Sequence, residues 1–571
     1  TFDLAFYVQA LWLALRGEWH VSLLNVPLLG NHAEPIVFLA TPLFALWPHP
    51  MWLVALQSIA LATLPLTGWR IALHLGFSPR AAALLALATV LSPATGFVAL
   101  HEFHPEALAA PFILLLIEAR LKKQRGLFWL WFLTILACKE NLALLLITFC
   151  LVHALLEWRR KESIGFQFRW NVLPLLAATA CFVGYTRYLG PSLNAGNVDY
   201  LELYSHLGHS GTEIITGFFL HPQKALGALG KALAGGNLLW ALLLPMLGLP
   251  FLRPHWLLIA LPILLQHLLS WRVSEWSIRV HYAAPMIPLF WIASVEALRQ
   301  TRLREVAAIS ILAACVLSQW LFGPAGDLVS EIKTAPLKSW ERHWKKELLA
   351  QIPPETSVTA PLPYLSHLAT RKELLSLHHV LKGLKTLSRA EFRPGPPGEV
   401  VLIDYADAIT FDPRSGYYHP AMRTVDGRII PSSDALLHAY LSSASWNRRT
   451  CNSMVLYRRA VQEDPAPPAP LVSPVFRIDE ATELAEIKIR RGGTNRTFDF
   501  RLSWTRNGTP SQWPWCMLLV SGKSGAGFVI KGACVPELAA GRVDEEWSIT
   551  LPPDIAPGLY EFSLLFYHHE N

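Results

Sequence analysis

Charge is what this chain has least of. Only 16% of its 571 residues are Asp, Glu, Lys or Arg, against about 25% in ordinary soluble domains, while 52% are hydrophobic. That balance excludes a wholly soluble protein, and it excludes disorder, which needs few apolar groups and many charges. The seven cysteines, at 138, 150, 181, 315, 451, 516 and 534, form neither a CxxC nor a zinc-ligand spacing. A disulfide framework and a zinc module are therefore not indicated. No basic segment of a secretory signal opens the chain; it starts at Thr1 on the apolar, aromatic stretch FDLAFYVQALW (2–12), and one further helix is expected before it. The net charge of +7 would suggest nucleic acid in a soluble chain. In an apolar chain it reads as a topology signal, and no nucleic acid is expected as a partner.

What is present is hydrophobicity unevenly spread. Up to about residue 322 the chain is a series of apolar runs, roughly 50–74, 80–100, 107–121, 127–138, 142–157, 171–189, 238–252, 256–270, 282–298 and 305–322. Ten spans are expected in this transmembrane domain (1–322), with the lipid bilayer as its partner. Several runs fall short of the ~20 residues that a full span needs. The pair meeting at Cys138–Lys139–Glu140–Asn141 reads as two short helices joined at a polar break, which is tolerated where it lines a cavity in the protein.

Alternating the ten spans places Arg70 and Arg80, Arg120 to Arg125, Arg159 to Arg169, Arg253, and Arg299 to Arg304 all on one side, the cytoplasmic one by the positive-inside rule. The other side receives 1–49, 101–106, 139–141, 190–237, 271–281 and everything after 323. The unusual polar residues gather there: Asp3, His32 and Glu34, the segment HEFHPE (101–106), Lys139 and Glu140, and Arg272, Arg279, His281 and Tyr282. Ionisable groups at membrane depth are costly and mark functional sites by default.

For each of these a plainer role stands beside the chemical one. Asp3 is a candidate general base, or the cap of the helix that follows it. Glu102 and Glu106 are its rivals as the catalytic carboxylate. His101 and His104, three apart, and Glu102 and Glu106, four apart, have spacings that share a helical face; His101, His104 and Glu106 could hold a divalent ion, with His32 and Glu34 contributing, or could serve as a hydrogen-bonded lock. The spacing is not HExxH, so the zinc-protease reading fails. Lys139 and Glu140 bind substrate or close the break as an ion pair. Arg272, Arg279, His281 and Tyr282 suit a phosphate, although interfacial Arg also anchors helices.

Beyond the spans an α/β unit is expected over 323–462, from strand-like runs at 357–360, 400–405 and 454–457. A proline-rich linker follows (DPAPPAP, 464–470), then alternating strands expected to form a β-sandwich over 471–571. Trp504, Trp513 and Trp515 could stack on sugar or fill the core.

The motifs FDLAFYVQALW (2–12), GNHAEP (30–35), LHEFHPEALAAP (100–111), CKENLALLL (138–146), VHYAAPMIPLF (280–290) and IPPETSVTAPLPYLSHLATR (352–371), in this order, resemble those of the domain-of-unknown-function 2079 family of predicted membrane proteins. The resemblance covers about residues 1–460. It implies a fold similar to the GT-C glycosyltransferases, polytopic enzymes of bacterial and archaeal cell membranes that use polyprenyl-phosphate sugars. In those an acid in the first outward loop is essential, and Asp3 matches it. The family's acids are replaced at Val8, Asn31 and Asn141, which puts a metal in question but leaves Asp3, Glu102 and Glu106. The resemblance thus implies sugar transfer from a polyprenyl-phosphate donor to an acceptor on the outer face. The alternative is a non-catalytic scaffold, transporter or complex subunit with the same fold.

The charge pattern yields a direct test. A cysteine introduced at Gln124 should react with a membrane-impermeant maleimide only after permeabilisation, and one at Ser210 should react in intact cells. The reverse labelling would invert the topology.

Overall fold

Proline punctuates the apolar half. Pro79, Pro93, Pro105 and Pro254 each stand at the start of a helix, where a missing N–H costs nothing and the fixed φ suits the first turn. The residue before a proline is pushed out of helical conformation. Ser92 accordingly lies at φ −65°, ψ 134°, and the run expected over 80–100 is two helices, Pro79–Leu91 and Pro93–Leu100, bent by 46°.

The computed structural model describes residues 1–194, 199–336, 339–385, 391–412, 415–460, 476–478, 482–492, 496–506, 515–522, 527–534, 541–552 and 560–567. The linker at 464–470 and Trp513 lie outside them, as does the side chain of Trp515. The chain divides into two compact units, Phe6–Lys333 and Thr1–Ala5 with Thr334–Asn571.

The first unit is helical, and each of the ten apolar runs carries helix in whole or in part. Among the described residues four helices are long and apolar enough to cross a membrane, Met51–His74, Leu142–Arg159, Ile164–Leu193 and Arg304–Leu321, or five if the bent pair counts as one span. Further apolar helices, such as Arg125–Leu136, Pro254–Leu268 and Ile287–Leu298, are shorter.

Helix Pro105–Leu121 carries polar groups at both ends. Near its C-terminal end Glu118 accepts from Arg70 and Lys122 at 2.7 Å each, and Arg120 reaches Glu157 at 2.8 Å and Asn171 at 2.7 Å. Glu106 opens the same helix. The 12 steps from Glu106 to Glu118 separate the two polar layers by about 18 Å at 1.5 Å per residue. The arginines that define the expected cytoplasmic side thus sit one helix length from the candidate site.

The second unit is β-rich. Apart from the small hairpin of Arg423–Val425 and Arg428–Ile430, its described strands are β1 (Val358–Ala360), β2 (Leu374–Ser376), β3 (Val400–Asp404), β4 (Trp446–Cys451), β5 (Met454–Arg459), β6 (Phe476–Arg477), β7 (Thr482–Arg491), β8 (Thr497–Arg506), β9 (Trp515–Gly522), β10 (Gly527–Cys534), β11 (Gly541–Thr550) and β12 (Tyr560–Tyr567). Nine of them form one sheet in the order β6-β7-β8-β11-β4-β5-β3-β1-β2, and β10-β9-β12 form a second. The two sheets face each other through Phe498, Phe500 and Trp504 on one side and Phe562 and Phe566 on the other. One of these two sheets runs on from β6, β7, β8 and β11 into β4, β5, β3, β1 and β2.

The junction is the parallel pairing of β11 with β4, which sets Glu546 opposite Arg449 and Trp547 opposite Thr450. Beside it, Arg448 and Glu545 form an ion pair at 2.7 Å with side chains only 1% and 0% exposed. Glu545 also accepts from Thr450 at 2.6 Å, from Trp504 at 3.0 Å and from Trp547. Trp504 is therefore a core residue and not a sugar platform. Breaking one partner of a buried pair leaves an uncompensated charge. Arg448→Met should lower the stability of the β-rich unit by about 3–5 kcal/mol, read as a lower melting temperature and faster proteolysis of the full-length protein in detergent. An unchanged melting temperature would refute the lock.

Candidate functional site

The segment HEFHPE is held from outside by one side chain. Gln57, in helix Met51–Ala62, accepts from the His104 backbone N–H at 2.9 Å. Its amide donates to the carbonyls of Val98 at 2.9 Å and His101 at 3.2 Å. With the loop fixed, Pro105 starts its helix and Glu106 falls in the first turn, where the helix dipole favours a carboxylate. Glu106 is 1% exposed.

Its countercharge comes from the break between helices Arg125–Leu136 and Leu142–Arg159. Lys139 Nζ donates to Glu106 Oε2 at 2.9 Å. The next residue, Glu140, accepts from His32 Nδ1 at 2.7 Å and from the Ala33 N–H at 2.9 Å. Burial works to raise Glu140, but His32, Lys139 and the Ala33 amide hold it down at about 2. Glu34 lies alongside and accepts from Tyr7 at 2.8 Å; burial leaves its carboxyl above the usual range despite His32 and Lys139.

Three imidazoles complete the cluster. One ring nitrogen from each of His101, His104 and His281 lies within 4.8 Å of the others. The rings of His104 and His281 stack at 3.5 Å and 14°. Burial, then the neighbouring His104, Lys139 and His101, push His281 well below its ordinary value, so it is neutral. His104 Nδ1 is 3.0 Å from the Glu102 carbonyl, which can only accept, so Nδ1 carries a proton. His281 Nε2 stands 3.5 Å from Glu106 Oε2. Two buried atoms here have no hydrogen-bond partner among the described residues, Glu106 Oε1 and His281 Nδ1.

The polar chain extends further. Tyr282 packs against His281 at 4.3 Å and against His267 at 4.6 Å, and His267 Nδ1 meets Glu275 Oε2 at 2.5 Å.

Of the residues singled out in the sequence, His32, Glu34, His101, His104, Glu106, Lys139, Glu140, His281 and Tyr282 come together. Glu102 enters through its carbonyl, and its side chain is half-buried. Arg272 sits in the loop before Glu275, its backbone N–H on the Ser270 hydroxyl at 3.1 Å. Arg279 is on the surface, 66% exposed, paired with Asp327 at 3.3 Å and over the Phe97 ring. Asp3 is in the first turn of helix Phe2–Ala14, in the segment Thr1–Ala5 that groups with the β-rich unit.

Gln57, Tyr7 and His267 were not among those candidates. The signal was there: each is a lone polar side chain inside an apolar run, where such groups are retained only for a partner. Lys139→Met would strand the Glu106 carboxylate and should destabilise the helical unit by about 3–5 kcal/mol. Adding Glu106→Gln should restore part of that loss in thermal melts, giving a coupling energy between the two sites.

No curated protein and no solved structure matches the chain. The family described as predicted membrane protein (DUF2079) matches residues 1–393. That stretch holds every cluster residue, the apolar helices and the first strands of the β-rich unit, and the chain belongs to the DUF2079 family of predicted membrane proteins.

Proposed function

We propose that the protein is a membrane glycosyltransferase of GT-C type, transferring a sugar from a polyprenyl-phosphate donor to a hydroxyl acceptor on the extracytoplasmic face. In this reading the chain has ten spans, and the α/β and β-sandwich parts stand outside the cytoplasm. The observation that carries the reading is Glu106: a carboxylate buried in an apolar bundle, with one oxygen on Lys139 and the other without a partner among the described residues.

Inverting transfer asks for such a group. A base takes the proton of the acceptor hydroxyl as its oxygen bonds to the anomeric carbon. The bond from that carbon to the phosphate oxygen breaks, and the polyprenyl phosphate leaves with the electron pair. Asp3, Glu102 and Glu106 are the carboxylates proposed for this step, and Glu106 is favoured because its buried Oε1 has no partner among the described residues. The departing phosphate needs positive charge and donors, a role proposed for Lys139, His32 and Tyr282 with Arg272 and Arg279 at the outer rim. Glu34, Glu140, His101, His104 and His281 hold these groups in place.

Proteoliposomes of the full-length protein, supplied with labelled polyprenyl-phosphate sugars, test the proposal. Wild type should incorporate label, and Glu106→Gln and Asp3→Asn should lower the rate by about 10²–10⁴-fold if each is the base. Unchanged rates in both variants would remove these carboxylates from the mechanism. No incorporation with any donor would favour a scaffold or transporter.

A further inference from the structure

We infer that His101, His104 and His281 form a binding site for a zinc-class divalent ion, independent of whether the protein transfers sugars. The three residues come from two segments far apart in sequence, 101–104 and 281, yet one ring nitrogen of each falls within 4.8 Å of the others. His104 and His281 are 5% exposed each, so the cluster is not a chance gathering on the surface.

His104 commits Nδ1–H to the Glu102 carbonyl at 3.0 Å, so a ligand role falls to its other ring nitrogen, Nε2. Metal-ligating histidines are set up this way, the second nitrogen donating to a carbonyl or carboxylate. On His281 the nitrogen facing a carboxylate is Nε2, 3.5 Å from Glu106 Oε2. The other, Nδ1, is buried and has no partner among the described residues. A carboxylate behind one nitrogen and an orphaned lone pair on the other is the arrangement of a carboxylate–histidine–metal triad.

The donor set selects the class of ion. Three imidazole nitrogens suit zinc and its first-row neighbours, whereas magnesium and calcium require oxygen. A three-nitrogen set leaves the fourth position open for water or for a substrate oxygen. Uptake requires motion: the His104 and His281 rings lie nearly parallel at 3.5 Å, and two parallel planes do not meet at a point. One ring must turn about its Cβ–Cγ bond to aim its lone pair at the ion.

Lys139 is the obvious objection, since an ammonium disfavours a nearby cation. It is committed to Glu106 at 2.9 Å, and that carboxylate stands between it and His281. Gln57 is a positioning residue here. It grips the His101 carbonyl and the His104 amide and sets the relation of the two rings.

The test uses full-length protein in detergent, stripped with chelator, incubated with Zn²⁺ and desalted before elemental analysis. About one zinc per chain is expected, as for a single three-histidine site. His281→Asn and His104→Asn should abolish uptake, and Glu106→Gln and Gln57→Leu should weaken it about 10–100-fold. His209→Asn, outside the cluster, should bind like wild type. Where a histidine variant fails to fold, Co²⁺ in the wild type decides. An intense visible spectrum of a four-coordinate nitrogen site supports the inference, and the weak spectrum of an octahedral oxygen site overturns it. Zinc uptake that is absent, or that persists in folded His281→Asn and His104→Asn, also overturns it.

Discussion

The buried carboxylate of Glu106 constrains everything around it. An isolated carboxylate taken into an apolar interior costs several kcal/mol even after the protein relaxes, and in a helical bundle this apolar there is little solvent to lower that cost. The fold answers with Lys139 at 2.9 Å. A lysine can reach that depth only if its own segment has a polar break there, so the interruption between helices Arg125–Leu136 and Leu142–Arg159 follows from the charge it must deliver. The break in turn exposes Glu140, whose charge is met by His32 and the Ala33 amide. One buried acid thus organises three segments that are distant in sequence.

Elsewhere the chain handles buried charge in the same way with different partners. Arg120, 8% exposed, is matched by Glu157, and Arg448 by Glu545. These pairs hold structure where apolar packing alone would leave the register open: the first ties helix Pro105–Leu121 to helix Leu142–Arg159, and the second fastens β4 beside β11. Arginine fits both places because its planar fork meets several acceptors at once. Lys139 makes a single point contact with Glu106, and that leaves the carboxylate's second oxygen uncovered.

Most of the helical part was legible in the residues. Proline positions and apolar runs located the helices, because in a membrane-like segment composition is set by the surroundings more than by tertiary detail. The strands at 358–360, 400–404 and 454–459 were legible for a similar reason, being short β-branched runs. The shared nine-stranded sheet was not legible. The pairing of β4 with β11 joins residues about a hundred positions apart across a proline-rich linker, and nothing local in WNRRTC announces it. At the site, the charged and imidazole groups were legible as outliers in apolar loops, and nine of them do meet. Gln57 stood out as a polar residue in an apolar run, but the three backbone groups it holds were not legible, since backbone groups carry no sequence signal.

Whether the cluster is only a lock can be argued from the molecule's other buried acids. A structural lock is worth its cost only when every polar atom is satisfied, since a half-satisfied network is worse than an apolar core. Glu118 meets that standard, with donors on both oxygens from Arg70 and Lys122. So does Glu157, with Arg120 on one oxygen and Asn171 on the other. Glu140 takes His32 and the Ala33 amide, and Asp404 takes Ser453 and the Ala406 amide on one oxygen and Lys345 and Tyr364 on the other. Among the described residues Glu106 Oε1 and His281 Nδ1 have no hydrogen-bond partner. Set beside these four buried carboxylates, each with both oxygens met, the bare oxygen of Glu106 next to a bare imidazole nitrogen suits a group that is not part of the chain.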